Sequence, residues 1–238
     1  MLQPSEIGRA LVVTAHPDDV DFGAAGTVAM LTDADVRVTY CLITDGDAGG
    51  RDREMTRPAM AALRRDEQRR AAKEVGVSDL IFLGHPDGRV VADLELREAI
   101  SRVIREVRPT VVITQSPERN LDRIYASHPD HLAAGEATMC AVYPDARNPF
   151  AFPRLLDEGL EPWTVDEMWV MAGPSSSDPV DVTTQVERKI SALLCHESQH
   201  QDPVRTGAMV REWMAATAQH FEMPAGTLAE AFRVVNTR

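Results

Sequence analysis

Residues 12–23 read VVTAHPDDVDFG. A short apolar run of β type ends in His16, Asp18 and Asp19, and a helix-compatible stretch opens near Gly23. Strand, polar loop and helix in that order is how a parallel α/β sheet begins. The loop is also chemically pointed. Two adjacent carboxylates repel each other, and they gain stability only beside a cation or where one must stay ionised to act.

The chain then repeats the pattern. Residues 36–44, VRVTYCLIT, read as a second strand that ends in the Gly/Asp loop DGDAGG. A charged helix over 58–75 leads to a third strand, LIFLG, from Leu80. Residues 94–107 place Leu96, Ile100, Val103, Ile104 and Val107 at helical spacing. TVVIT from Thr110 is a fourth strand, and Ser127 caps a helix over 131–142. Beyond it the sequence predicts a proline-containing, mostly loop stretch over 144–164, a strand in EMWVMAG from Glu167, an amphipathic helix carrying Val182, Val186, Ile190 and Leu193, a helix over 205–221 and an edge strand in AFRVVNTR.

Nearly all-apolar short strands alternating with helices predict a Rossmann-like, three-layer α/β fold with a mostly parallel sheet. With no internal repeat and no linker-like segment, one domain over residues 1–238 is expected. Ligand sites in such sheets lie beyond the C-terminal ends of the strands. Three polar clusters fall at such ends: residues 16–19, residues 44–50 and the segment after Thr114.

The bulk properties exclude several classes. The 238 residues are 44% hydrophobic and 26% charged, as in a soluble globular protein, and the formal net charge is −12. That surface repels nucleic acid and anionic membranes, so neither is expected as a partner. Cys41, Cys140 and Cys195 stand among apolar or small residues without a CxxC, which suggests buried, reduced thiols. The N-terminus lacks the basic start and apolar core of a signal peptide, and no apolar run is long enough to span a bilayer, so a cytoplasmic location is expected. Oligomeric state is open, a homo-oligomer included.

Residues 128–131, HPDH, supply the second half of the chemistry. A His, Asp and His set drawn from the two clusters suits Zn²⁺ or a similar divalent ion and leaves a position for water. Asp18 is then the spare carboxylate, able to take a proton from that water. His128, if cationic, would stabilise an oxyanion or protonate a leaving amine.

AHPDDVDFG together with HPDH resembles the LmbE/PIG-L superfamily of zinc-dependent N-deacetylases. The likeness extends through TDGDAGG after the second strand, Arg64 and Glu67 followed by AAKEVGV, LGHPDG from Leu83 and, more weakly, KISALLCHESQ from Lys189. It implies that His16, Asp19 and His131 bind the metal (Zn²⁺, with Fe²⁺ as the alternative), that Asp18 is the general base, and that His128 is the electrophile or acid with Asp130 as its orienting partner. It implies hydrolysis of the N-acyl, chiefly N-acetyl, amide of a small amino-sugar substrate. One departure is the Val20-Asp21 pair where many members carry Glu after HPDD.

Plainer readings exist for each feature. Helix capping alone is the plainer reading of the paired aspartates, and it leaves HPDH unexplained. A third HPD at residues 85–87 reads as a turn, with Asp87 a candidate substrate contact. Arg64 is either a substrate-side residue or, with Glu67, an exposed i,i+3 pair. His196 and His200, four apart, read as partly solvated helix histidines without an acidic partner, and Trp169 and Trp213 as core. Three other functional classes compete. A nucleotide-binding Rossmann domain needs a glycine-rich turn where this chain has two carboxylates. A phosphoesterase usually needs two metals. A non-catalytic relative would not need Asp18 and His128.

Overall fold

The computed structural model describes residues 1–50, 52–200 and 202–238. Its strands are β1 (Arg9–Thr14), β2 (Arg37–Thr44), β3 (Asp79–His85), β4 (Val111–Gln115), β5 (Glu167–Met171), β6 (Asp178–Asp181) and β7 (Ala229–Asn236). Its helices are α1 (Asp19–Gly23), α2 (Ala25–Asp33), α3 (Arg57–Glu74), α4 (Leu94–Val107), α5 (Pro129–Cys140), α6 (Pro153–Asp157), α7 (Val186–Leu194) and α8 (Pro203–His220).

The strands form one sheet in the order β3-β2-β1-β4-β5-β7-β6. The first five run parallel. β7 is antiparallel to both of its neighbours. The mostly parallel three-layer α/β fold is therefore the one expected from the sequence.

The apolar strands read as they do because both faces are covered. Along β1, Ala10 and Val12 enter one core with Val28, Leu31, Tyr40 and Leu193, while Leu11 and Val13 enter the other with Ile43, Ile100, Ile104 and Ala134. This is the two-residue period of a strand. Helix starts follow local chemistry as well. Thr56, Asp93 and Asp202 accept the backbone N–H three residues on at the starts of α3, α4 and α8.

Two expectations need correction, and a third holds in the main. The C-terminal strand β7 is not an edge; the short strand β6 (sequence DPVD) takes that place. Its proline and acids hide it from a propensity reading, and they suit an unpaired edge. The stretch 144–164 is mostly loop as expected, with the short helix α6 inside it. The helix expected to start at Gly23 starts at Asp19 and is broken into α1 and α2 at Ala24.

The topology positions the site. From β1 the sheet grows through β2 and β3 on one side and through β4 and β5 on the other, so a crevice opens at the C-terminal ends of β1 and β4. Gln115, at the end of β4, spans it by accepting the Ala15 N–H at 2.9 Å. All three cysteines are free thiols, Cys41 buried and the other two half-buried. Among the described residues no helix is long and apolar enough to cross a membrane.

Candidate active site

His16 and Asp19 stand where β1 turns into α1, and His131 lies in the first turn of α5. The turn is closed by the His16 N–H donating to Asp19 Oδ2 at 2.7 Å. Asp19 Oδ2 lies 3.4 Å from His16 Nδ1, and Asp19 Oδ1 lies 3.0 Å from His131 Nε2. The two ring nitrogens, His16 Nδ1 and His131 Nε2, face each other at 3.2 Å.

The outer nitrogens settle what those inner ones present. His16 Nε2 meets Asp87 Oδ1 at 3.0 Å and Asp130 Oδ2 at 3.2 Å. His131 Nδ1 meets the Ala126 carbonyl at 3.2 Å. All are acceptors, so each outer nitrogen carries the proton and each inner nitrogen turns a lone pair toward the other. A carboxylate or carbonyl behind an imidazole is the usual support of a metal-bound histidine.

Two lone pairs and a carboxylate converging at 3.0–3.4 Å call for a positive charge between them. Burial alone would lower the pKa of His16, but Asp130, Asp19 and Asp87 outweigh it and push the imidazolium up to about 12. The same balance between burial and Asp19 raises His131. The convergence thus suits a cation at this point. A tetrahedral ion with ligands at about 2.0–2.1 Å has edges of about 3.3 Å. The spacing and the N, N, O donor set fit such an ion.

Asp18 lies beside this triangle in a left-handed conformation, φ 88°. Two side chains of α3 hold it. Gln68 Oε1 accepts its backbone N–H at 2.8 Å, and Arg64 Nη2 donates to its Oδ2 at 3.1 Å. Burial raises the Asp18 carboxyl, Arg64 lowers it and Asp19 raises it, leaving it at about 6. Arg64 also donates to the Pro17 and Gly46 carbonyls at 2.6 and 3.1 Å. The loop wraps the guanidinium so closely that a Cβ at Gly46 would stand 2.3 Å from Arg64 Nη1, and Gly46 has φ +65°. Only glycine meets both conditions.

Behind Asp18 runs a buried polar chain. Gln68 Nε2 donates to Asp21 Oδ2 at 2.9 Å, and Asp21 Oδ2 lies 2.8 Å from His196 Nε2. Gln68, Asp21 and His196 are each 0% exposed. Glu67, on the same helix face, accepts the N–H and hydroxyl of Ser198 at 2.8 and 2.7 Å. Arg64 and Glu67 are therefore buried and not a surface pair.

Several expected roles change. Asp130 does not orient His128 through its carboxylate, which instead accepts from His16, from the Gly88 N–H at 2.7 Å and from the Val90 N–H at 3.2 Å. Only the Asp130 backbone N–H reaches His128, donating to Nδ1 at 3.2 Å. Asp87 lines the cavity but supports His16 and accepts the Ala48 N–H at 3.1 Å. Arg64 is committed to Asp18 and two carbonyls. His196 lies beyond the end of α7, fully buried with Asp21 as its acidic partner. Trp213 is 37% exposed at the cavity mouth, whereas Trp169 is core.

His128 stands with its ring centroid 5.0 Å from that of His16 and 5.3 Å from that of His131. Burial and these two imidazoles lower its pKa, which favours the neutral ring. All these groups share a cavity of about 580 Å3, with Phe22, Arg123, Tyr125 and Trp213 on its outer wall. Gln68 carries no signal in the sequence, since it occupies an ordinary position in a charged helix. Tyr125, three residues before His128, was traceable only as a neighbour of HPDH.

Residues 11–142 match the family model described as PIG-L, GlcNAc-PI de-N-acetylase. The chain belongs to the PIG-L family. It is 32% identical over 205 residues to the diacetylchitobiose deacetylase of Thermococcus kodakarensis, covering 84% of this chain and 73% of that one. It is 31% identical over 224 residues to a probable N-acetyl-alpha-D-glucosaminyl L-malate deacetylase 2 of Bacillus cereus, covering 90% and 94%. The structure of N,N'-diacetylchitobiose deacetylase from Pyrococcus horikoshii superposes with a TM-score of 0.89 at 26% identity, covering 98% and 85%. As a PIG-L member the chain is a metal-dependent deacetylase, as its two HPD motifs led one to expect.

Proposed function

We propose that this PIG-L deacetylase hydrolyses the N-acetyl amide of a small N-acetylglucosamine conjugate, with Zn²⁺ held by His16, Asp19 and His131 and with Asp18 as general base. The observation that carries the reading is the 3.0–3.4 Å triangle of His16 Nδ1, His131 Nε2 and Asp19. It lies on the floor of a cavity that also exposes Asp18 and His128.

When bound, the metal supplies a Lewis acid that acidifies water and polarises the acyl oxygen. Asp87 and Asp130 hold His16 in the tautomer that leaves Nδ1 a donor of its lone pair, and Ala126 does the same for His131. Asp18, near pKa 6, is ionised at neutral pH and accepts a proton from the attacking water. It then returns that proton to the amide nitrogen, so that acetate and a free amine leave. His128 has its Nδ1 occupied by the Asp130 N–H, so its proton sits on Nε2. That Nε2–H is the donor for negative charge developing on the acyl oxygen.

The test is fluorescamine detection of free amine from N-acetylglucosamine conjugates, with wild type beside Asp18→Asn. Amine release by wild type that falls at least a thousandfold in the variant, with metal retained, supports the reading. Equal release by both removes Asp18 from the chemistry, and release from none of the conjugates removes the substrate class.

A further inference from the structure

The outer wall of the cavity gathers three aromatic side chains and an arginine. Phe22 in α1, Arg123 and Tyr125 after β4 and Trp213 on α8 come from three separate parts of the chain. The Tyr125 and Trp213 rings are nearly parallel, 13° apart, with centroids at 6.4 Å. Arg123 braces both: its guanidinium carbon lies 5.5 and 5.7 Å from the two centroids, and its Nε donates to Tyr125 Oη at 3.1 Å. Phe22 closes the inner side, 6.3 Å from Trp213.

Exposure rises along the cavity wall. His16 on the floor is 8% exposed, Trp213 is 37% and Tyr125 is 61%. A buried polar floor and an open aromatic rim differ in what they bind. On the deacetylase reading above, the floor is the place for the reacting acetamido group and its ring. The rim offers flat π faces that α8 could have turned inward, where Val210 and Met214 of the same helix are buried. Exposed aromatic patches of this kind mark ligand surfaces.

We propose that Trp213 and Tyr125 form the platform for a second, neutral pyranose ring, joined to the N-acetylglucosamine that reacts on the floor. This rests on the deacetylase reading above. The C–H face of a pyranose is apolar and carries a slight positive charge, which matches the negative face of an aromatic ring. The charges beside the platform favour a neutral ring over an anionic group. Asp18, Asp19 and Asp87 line the same cavity, and of its two arginines Arg64 is occupied by Asp18 while Arg123 is spent on the ring stack, so neither guanidinium beside the platform is free to pair with an anionic group. The substrate class is then an N-acetylated disaccharide, not a monosaccharide joined to a dicarboxylic acid.

The experiment compares kcat/KM for the methyl glycoside of N-acetylglucosamine, N,N'-diacetylchitobiose and an N-acetylglucosaminyl malate, in wild type, Trp213→Ala and Trp213→Phe. Stacking of a flat ring on an aromatic side chain is worth about 1–3 kcal/mol. The disaccharide-to-monosaccharide ratio should therefore fall about tenfold or more in Trp213→Ala, through KM, and recover in Trp213→Phe. A uniform loss on all three substrates, or a loss greatest for the malate conjugate, would overturn the platform. Binding of the disaccharide to Asp18→Asn, followed by tryptophan fluorescence, separates the two readings. Saturable quenching that disappears with Trp213→Phe supports the platform even if no conjugate is hydrolysed. Its absence overturns the platform even if monosaccharides are.

Discussion

Replacing Gln68 with leucine keeps the volume of the side chain and removes both of its hydrogen bonds. The Asp18 N–H, now bonded at 2.8 Å, loses its acceptor, and Asp21 Oδ2 loses the donor at 2.9 Å while keeping His196. Leaving one such group unsatisfied costs about 1–3 kcal/mol, and both together about 3 kcal/mol. For a chain of this size that corresponds to a melting temperature about 6–12 °C lower. Catalysis suffers separately. The left-handed conformation of Asp18, φ 88°, costs about 1–2 kcal/mol. Without its anchor the residue relaxes, and the competent population falls by about 5–30-fold. Steady-state kinetics well below the transition should show kcat lowered by that factor, KM within about twofold and metal content unchanged. A normal kcat in a destabilised variant would show that Gln68 supports the fold without placing the base.

Other consequences follow from single contacts. Because Asp18 must be ionised to act, kcat/KM should fall as pH drops below about 6. Arg64→Met removes the group that lowers the Asp18 pKa, so a pH profile should show that acid limb displaced upward; an unmoved limb would separate Arg64 from Asp18. Asp87→Ala removes one of two carboxylates behind His16. Competition with a chromogenic chelator should show metal affinity weakened by about 10–100-fold, and unchanged affinity would discount that support. His196→Leu leaves the Asp21 carboxylate buried without its cation. Thermal denaturation should show destabilisation of about 3–5 kcal/mol, whereas a neutral effect would discount the His196–Asp21 pair as a support of the fold.

Much of this architecture was legible because it lies in local patterns. The apolar run before His16 marked β1, and the i,i+4 spacing of Leu96, Ile100 and Ile104 marked α4 with its observed bounds. The two HPD clusters fall where the sheet changes direction, and a parallel sheet alone dictates that they meet. The partners of each site residue were not legible. Asp130 serves His16 and not its sequence neighbour His128, because the N-terminus of α5 turns its carboxylate back toward Gly88 and Val90. His196 looked solvated because its acidic partner, Asp21, lies 175 residues away in sequence. Trp213 looked like core because hydrophobicity says that a side chain prefers burial, not whether protein or ligand will cover it. The strand β6, four residues with two acids and a proline, carries no β signal of its own.

The central claim is that the His16, Asp19 and His131 triangle exists to hold one metal ion on which amide hydrolysis depends. The most direct measurement is a zinc titration of chelator-stripped protein, with amine release from N,N'-diacetylchitobiose read at each addition. The account predicts no activity in the stripped protein and recovery complete at one equivalent of zinc, with His131→Ala failing to recover at that dose. Full activity after stripping, or the same one-equivalent recovery in His131→Ala, would contradict it.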